Sequence, residues 1–149
     1  MVGYSGTPLI KKLGIKEDSK VKLVNAPKDY MALLECDISK QLIKETSKAD
    51  VVHLFVKTKK ELEEEFSKLI KDANEKLVIW VSWYKKSAGI ATDVTEDVIR
   101  EVVLPKGWVD IKVCAVSDIW SGLKIVKRKA ETSPKPSRRI GTGSPKERA

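Results

Sequence analysis

The chain has 149 residues, 42% hydrophobic and 34% charged, with a formal net charge of +8, which is the balance of a folded domain with a core of its own rather than of a disordered chain. Its longest apolar run, residues 77–81, is far too short to span a bilayer. A single histidine excludes a multi-histidine metal site, and a small, polar N-terminus with no apolar signal core points to a cytoplasmic protein.

Thr7-Pro8-Leu9-Ile10-Lys11-Lys12-Leu13-Gly14 reads as a short helix. Thr7 is placed to cap it, Pro8 suits its first position, and Gly14 can stop it in a left-handed conformation. Residues 20–24 form the first core strand. Asp29 is placed to cap a helix through Glu35 that buries Met31, Leu33 and Leu34. Residues 41–46 alternate weakly and read as an edge strand, whereas residues 51–56 are the continuous apolar run of a central parallel strand.

Residues 59–73 carry the clearest helical period, with Leu62, Phe66, Leu69, Ile70 and Ala73 on one face and a Glu64–Lys68 pair on the other. Residues 77–83 form a second central strand, followed by the loop Lys85-Lys86-Ser87-Ala88-Gly89. Asp93 and Glu96 have cap and third-residue spacing for a helix that runs to Leu104 and ends at Pro105-Lys106-Gly107. Residues 108–116 and 120–128 form a hairpin around Ser117-Asp118-Ile119. Beyond Lys129 the composition turns to Ser, Thr, Pro, Gly and Arg. Residues 130–149 are expected to be a disordered basic tail carrying +3 of the charge, attached to a single α/β domain over 1–129.

This order predicts a three-layer, Rossmann-like α/β fold with a mostly parallel sheet and a C-terminal antiparallel hairpin. A plain doubly wound sheet would close with another crossover. A closing hairpin is the mark of the sheet used by S-adenosylmethionine-dependent methyltransferases, an analogy of fold and not of function. Only residues 47–50 separate the edge strand from the next one, which is short for a parallel crossover. That strand is therefore either shorter than its pattern suggests or antiparallel.

Motifs in order along the chain are Gly3-Tyr4-Ser5-Gly6-Thr7-Pro8-Leu9, Lys11-Lys12-Leu13-Gly14-Ile15, Asn25-Ala26-Pro27, Ala49-Asp50-Val51-Val52, Trp80-Val81-Ser82-Trp83, Thr92-Asp93-Val94-Thr95-Glu96-Asp97, Val113-Cys114-Ala115-Val116 and Trp120-Ser121-Gly122-Leu123. Together they resemble a family of small, uncharacterised bacterial proteins, domain-of-unknown-function family 3052, over residues 3–128. The resemblance implies no activity, substrate or catalytic residue, and it does not reach the tail.

Methyl transfer is the chemistry the fold analogy suggests first. The loop after the first strand of such folds is Gly-rich so that a ligand can approach the backbone. Here it is Asn25-Ala26-Pro27, without a glycine and with a proline that lacks an N–H, and the acid for a ribose would be Glu45 in a polar edge segment. No cofactor is expected. A ligand crevice is instead expected beyond the carboxyl ends of the strands. Asn25, Lys57, Thr58, Lys85, Lys86 and Ser87 leave those ends, with Trp83 as a stacking face and Tyr4 and Ser5 as a lid hinged at Gly3 and Gly6. Such a rim suits an anionic small molecule or an acidic protein.

His53, mid-strand, reads as a core histidine rather than a general base. Cys36 and Cys114, far apart and without metal-type spacing, read as free buried thiols. The tryptophans read as core and hairpin anchors. No catalytic residue and no metal ligand emerges. The leading reading is a non-catalytic protein binding at the rim. A divergent methyltransferase-like enzyme and a nucleic-acid accessory protein using the tail are the alternatives. A pI near 9.4 allows weak contact with nucleic acid without establishing it.

Overall fold

The computed structural model describes residues 8–128; Tyr4, Ser5, Thr7 and the tail lie outside the described residues. The chain runs α1 (Leu9–Leu13), β1 (Val21–Val24), α2 (Tyr30–Leu34), β2 (Val51–Phe55), α3 (Lys59–Asp72), β3 (Val78–Tyr84), α4 (Glu96–Val103), β4 (Trp108–Ala115) and β5 (Trp120–Lys127), with 3₁₀ turns between them. The sheet has five strands in the order β1-β2-β3-β5-β4. β1, β2 and β3 are parallel, and β5 runs antiparallel to both β3 and β4. This is the Rossmann-like sheet with a closing hairpin that the residue pattern predicts.

Two cores flank the sheet. On one face Val52, Leu54, Ile79, Val81, Leu123 and Ile125 meet Leu62, Phe66 and Leu69 of α3 and Ile99, Val102 and Val103 of α4. The helical period of α3 is what delivers its three residues to that face. Each such fully buried side chain contributes roughly 1.5–3 kcal/mol of hydrophobic stabilisation. On the other face Val51, Phe55, Trp80 and Trp120 meet Leu9 and Leu13 of α1 and Tyr30 and Leu34 of α2. Trp80 is fully buried, and its indole N–H donates to the Leu13 carbonyl at 3.0 Å. That bond holds the end of α1, which Gly14 terminates at φ 77°.

The expected edge strand over residues 41–46 is a single parallel bridge, Leu42 to Val21, flanked by 3₁₀ turns at Ser39–Gln41 and Thr46–Lys48. The short link to β2 is the reason, because four residues cannot return a full parallel strand across the sheet. The chain still changes direction there. It leaves β1 by α2 on one face, touches the outer edge of β1 at Leu42, and reaches β2 through a turn packed on α3 at the other. The switch point of a doubly wound sheet therefore survives at β1, with its outer strand reduced to one bridge.

Several local expectations are corrected. Asp93 does not cap α4: Thr95 does, accepting from Val98 N–H at 3.2 Å, while Asp93 accepts from Lys59 N–H at 2.7 Å at the start of α3. Asp29 sits at the cap position of α2 with no side-chain capping bond. Lys68 pairs with Glu65 at 3.8 Å rather than with Glu64. Cys36 is exposed and Cys114 half-buried, not both buried. The left-handed Glu35 (φ 58°) ends α2 after five residues and turns Cys36 away from the sheet.

Gly122 in β5 lies where the sheet is tightest. A β-carbon there would meet a Val116 methyl at 3.0 Å, Trp80 at 3.3 Å and the Ser82 hydroxyl at 3.4 Å. Gly122→Ala is expected to lower unfolding free energy by about 1–3 kcal/mol, the cost of overpacking a filled core. Denaturant titration of the two proteins measures it, and an unchanged midpoint would show that Val116 yields freely.

Candidate functional site

The carboxyl ends of the parallel strands open into two crevices with Tyr84 between them. The first, about 380 Å³, lies at the switch point. The loop after β1 contributes Asn25, Ala26, Pro27 and Lys28, β2 and its exit contribute Phe55 and Lys57, the first turn of α3 contributes Glu61, and Tyr84 and Trp120 complete the wall. The second, about 500 Å³, lies at the start of α4 and is lined by Trp83, Tyr84, Lys86, Thr92, Val94, Thr95, Glu96, Asp97 and Arg100.

Four aromatic rings build the wall of the first crevice. Tyr84 and Trp120 stack at 4.3 Å between centroids, and Trp120 meets Phe55 edge-on at 4.9 Å. Phe55 stacks in turn on His53 at 4.3 Å, and Tyr30 meets both rings edge-on. Beneath them His53 is fully buried and bonded at both nitrogens, to the Tyr30 hydroxyl at 2.8 Å and the Ser82 hydroxyl at 2.7 Å. One ring nitrogen donates and the other accepts, so the imidazole is neutral. Burial pushes its pKa down to about 3 and raises that of Tyr30. No crevice reaches this trio among the described lining residues, which agrees with a core histidine rather than a general base.

The rim is shaped by its own hydrogen bonds. Thr58 caps α3 by accepting from Glu61 N–H at 3.1 Å, and the Glu61 carboxylate reaches back to Lys57 N–H at 2.7 Å and to the Asn25 amide at 3.4 Å. Asn25 adopts φ 58°, and its amide also contacts the Phe55 carbonyl at 3.5 Å. A non-glycine residue in this conformation marks a turn that the surroundings hold in place. The carboxylate thus fills the space beside the Lys57 backbone N–H.

The residues expected at one rim are divided. Asn25 and Lys57 line the first crevice, Trp83 and Lys86 the second. Thr58 is committed to its helix cap, and Lys85, Ser87 and Glu45 line neither crevice. Trp83 is only 7% exposed and packs in the core, so the stacking face belongs to Tyr84 and Trp120 instead. Tyr4 and Ser5 lie outside the described residues. Sequence reasoning missed Lys28 and Glu61. The Thr58-x-x-Glu61 spacing is that of a capping box and was the available signal for Glu61.

The crevices also differ in charge. The first holds Lys28 and Lys57 against Glu61, and neither lysine is in an ion pair among the described residues. The second holds Lys86 and Arg100 against Glu96 and Asp97. Arg100 is committed to Glu96, Asp97 and Asp110 at 2.9–3.0 Å, bonds that raise its pKa, Asp110 most. Burial raises the Cys114 thiol pKa, against the pull of Lys12 and Lys112, so this thiol is a weak nucleophile. Among the described residues no group of His, Cys, Asp and Glu is placed to hold a metal, and no helix is long and apolar enough to cross a membrane.

No family model matches the chain, so its resemblance to family 3052 has no support from that comparison. No curated protein matches it either. Solved structures do. A protein of the NADB-Rossmann superfamily from Streptococcus agalactiae aligns over 87% of this chain and 71% of its own at 8% identity, with a TM-score of 0.56. A candidate type 11 methyltransferase from Sulfolobus solfataricus aligns over 83% and 91% at 13% identity, TM-score 0.59. The tRNA methyltransferase TrmK of B. subtilis aligns over 83% and 67% at 8% identity, TM-score 0.53. At these identities the likeness is one of fold: the chain has the Rossmann-like architecture of methyltransferase-type proteins.

His53 sets a pH dependence. In the unfolded chain its imidazole takes up a proton below about pH 6.5, whereas in the folded protein it stays neutral down to about 3. Its contribution to stability is therefore whole above pH 6.5 and lost as the pH falls towards 3, at about 1.4 kcal/mol per pH unit. Urea unfolding is expected to show a loss of about 2 kcal/mol between pH 7.5 and 5, above the range where most carboxylates titrate. A flat profile over that interval would mean that His53 is solvated.

Proposed function

We propose that this chain is a non-catalytic binding protein that takes a small anionic ligand in the crevice at the switch point of its sheet. The observation that carries the reading is the make-up of that crevice: Lys28 and Lys57 outnumber Glu61 over a wall formed by Tyr84 and Trp120. The lysines supply charge, Asn25 a hydrogen-bonding side chain, and the stacked rings a flat apolar surface. The Glu61 carboxylate is already engaged by Lys57 N–H and Asn25, which leaves the ammonium groups as the charges facing a ligand. The second crevice is a poorer anion site, since its acids match its bases.

The fold of the solved structures favours a second reading, a divergent methyltransferase. Two features weigh against it. The Asn25-Ala26-Pro27 turn carries a proline where a backbone donor would be needed, and the strand outside β1 is reduced to the Leu42 bridge. In dinucleotide-binding sheets of this type an acid about twenty residues beyond the Gly-rich turn holds the ribose. Here Glu45, an exposed residue, lines neither crevice.

Thermal unfolding in phosphate and in chloride at matched ionic strength tests the reading. Phosphate is expected to raise the melting temperature more than chloride. Part of that gain is general exclusion of the anion from protein surface, so Lys28→Ala/Lys57→Ala separates the two effects by removing only the specific part. An equal response in wild type and variant would remove the crevice as an anion site. Calorimetry with S-adenosylmethionine is expected to show no saturable binding, and micromolar affinity would move the assignment to the methyltransferase reading.

A further inference from the structure

We infer that two copies of this chain associate through β4, strand against antiparallel strand, on a twofold axis through Ile111. The two sheet edges are unlike. Beyond β1, Leu42 bridges Val21 and Ile43 N–H donates to the Val21 carbonyl at 2.9 Å, so that edge is occupied. β4 is the other edge and pairs only with β5. The two most exposed large apolar side chains among the described residues lie on it, Ile111 at 55% and Val113 at 51%. Val113 stands opposite Leu123, which packs in the core beneath α3 and α4, so Val113 extends that apolar face outward past its cover.

Open strand edges invite partners, and proteins blunt them with bulges and lysines. β4 has both, a register shift between Asp110 and Lys112 and the exposed Lys112 itself. Those features reject an arbitrary strand but fit a second β4. Antiparallel pairing centred on Ile111 sets Lys112 opposite Asp110 of the other copy, twice by symmetry. It also sets Val109 opposite Val113 twice, and Ile111 against itself. Opposed charges and apolar pairs are the stabilising cross-strand combinations, and like charges the destabilising one. Centring on Lys112 would set that lysine against its own copy, so the register is selected as well as the partner. Asp110 uses Oδ2 for Arg100 at 3.0 Å. Its Oδ1 carries no hydrogen bond among the described residues, which leaves it for the incoming lysine. The contact is isologous, so it closes at two copies rather than growing into a fibre.

Sedimentation equilibrium of the full chain over a wide dilution series at physiological salt tests this. Salt matters, because a net charge of +8 on each copy opposes association when unscreened. A reversible monomer–dimer equilibrium is expected. Lys112→Glu turns two attractive pairs into repulsive ones and is expected to weaken the dimer on the order of tenfold or more. Ile111→Cys in a Cys36→Ser background places one thiol beside its own symmetry copy and is expected to form a covalent dimer under mild oxidation, which Cys36→Ser alone does not. Both substituted positions on β4 are exposed, so folding is preserved. A wild type that is monomeric at every concentration overturns the inference. So does a dimer that is indifferent to Lys112→Glu and fails to cross-link at 111.

Discussion

The structure turns on a buried imidazole that cannot be charged. His53 sits in the middle of β2 with no exposure and is held between the Tyr30 and Ser82 hydroxyls at 2.8 and 2.7 Å. Three elements meet in that chain: α2 through Tyr30, β2 through His53 and β3 through Ser82. Each polar group depends on the others, because a buried donor or acceptor left unmatched costs about 1–3 kcal/mol. The outer layer is thin, with α1 and α2 of five residues each. Such short helices have little stability of their own. Their place on the sheet comes from a few directed bonds, Tyr30 to His53 and Trp80 to the Leu13 carbonyl, added to apolar burial.

The same constraint reaches the crevice. Phe55 lies on the His53 ring, Trp120 stands against Phe55, and Tyr84 lies on Trp120. The wall of the proposed ligand site is thus the outer end of an aromatic stack whose inner end is the buried network. On the opposite side the rim is set by the α3 capping interactions, with Glu61 drawn to Lys57 N–H and Asn25. Both walls are preorganised without a ligand. A preformed pocket pays less ordering cost on binding, which suits a small anion held by two lysines that are themselves solvated.

Much of this architecture is legible in the residue pattern. The unbroken apolar run of β2, the helical period of α3 and the closing hairpin each report a position in the sheet, because burial on both faces and burial on one leave different periodicities. The expected strand at 41–46 fails for a reason of chain length that the same residues disclose. The site is less legible. Lysines leaving strand ends are visible one by one, but which of them share a crevice depends on how the ends splay around Tyr84, and no periodicity carries that. Trp83 and Trp120 illustrate it. Both close on the strand ends, yet Trp83 packs beneath α3 and α4 while Trp120 turns to the other face and lines the crevice. His53, in contrast, is correctly read as core from its apolar neighbours alone, although its two hydroxyl partners lie 23 and 29 residues away and no local signal identifies them.

The central claim is that the switch-point crevice, and not the neighbouring one, is the binding site. Backbone and indole amide shifts recorded by NMR during a phosphate titration of the full chain locate binding residue by residue. The account predicts saturable changes at Asn25, Lys28, Lys57, Tyr84 and the Trp120 indole N–H, with Lys86, Thr95 and Arg100 little moved. Changes centred on residues 86–100, or weak changes spread evenly over the surface lysines, would contradict it.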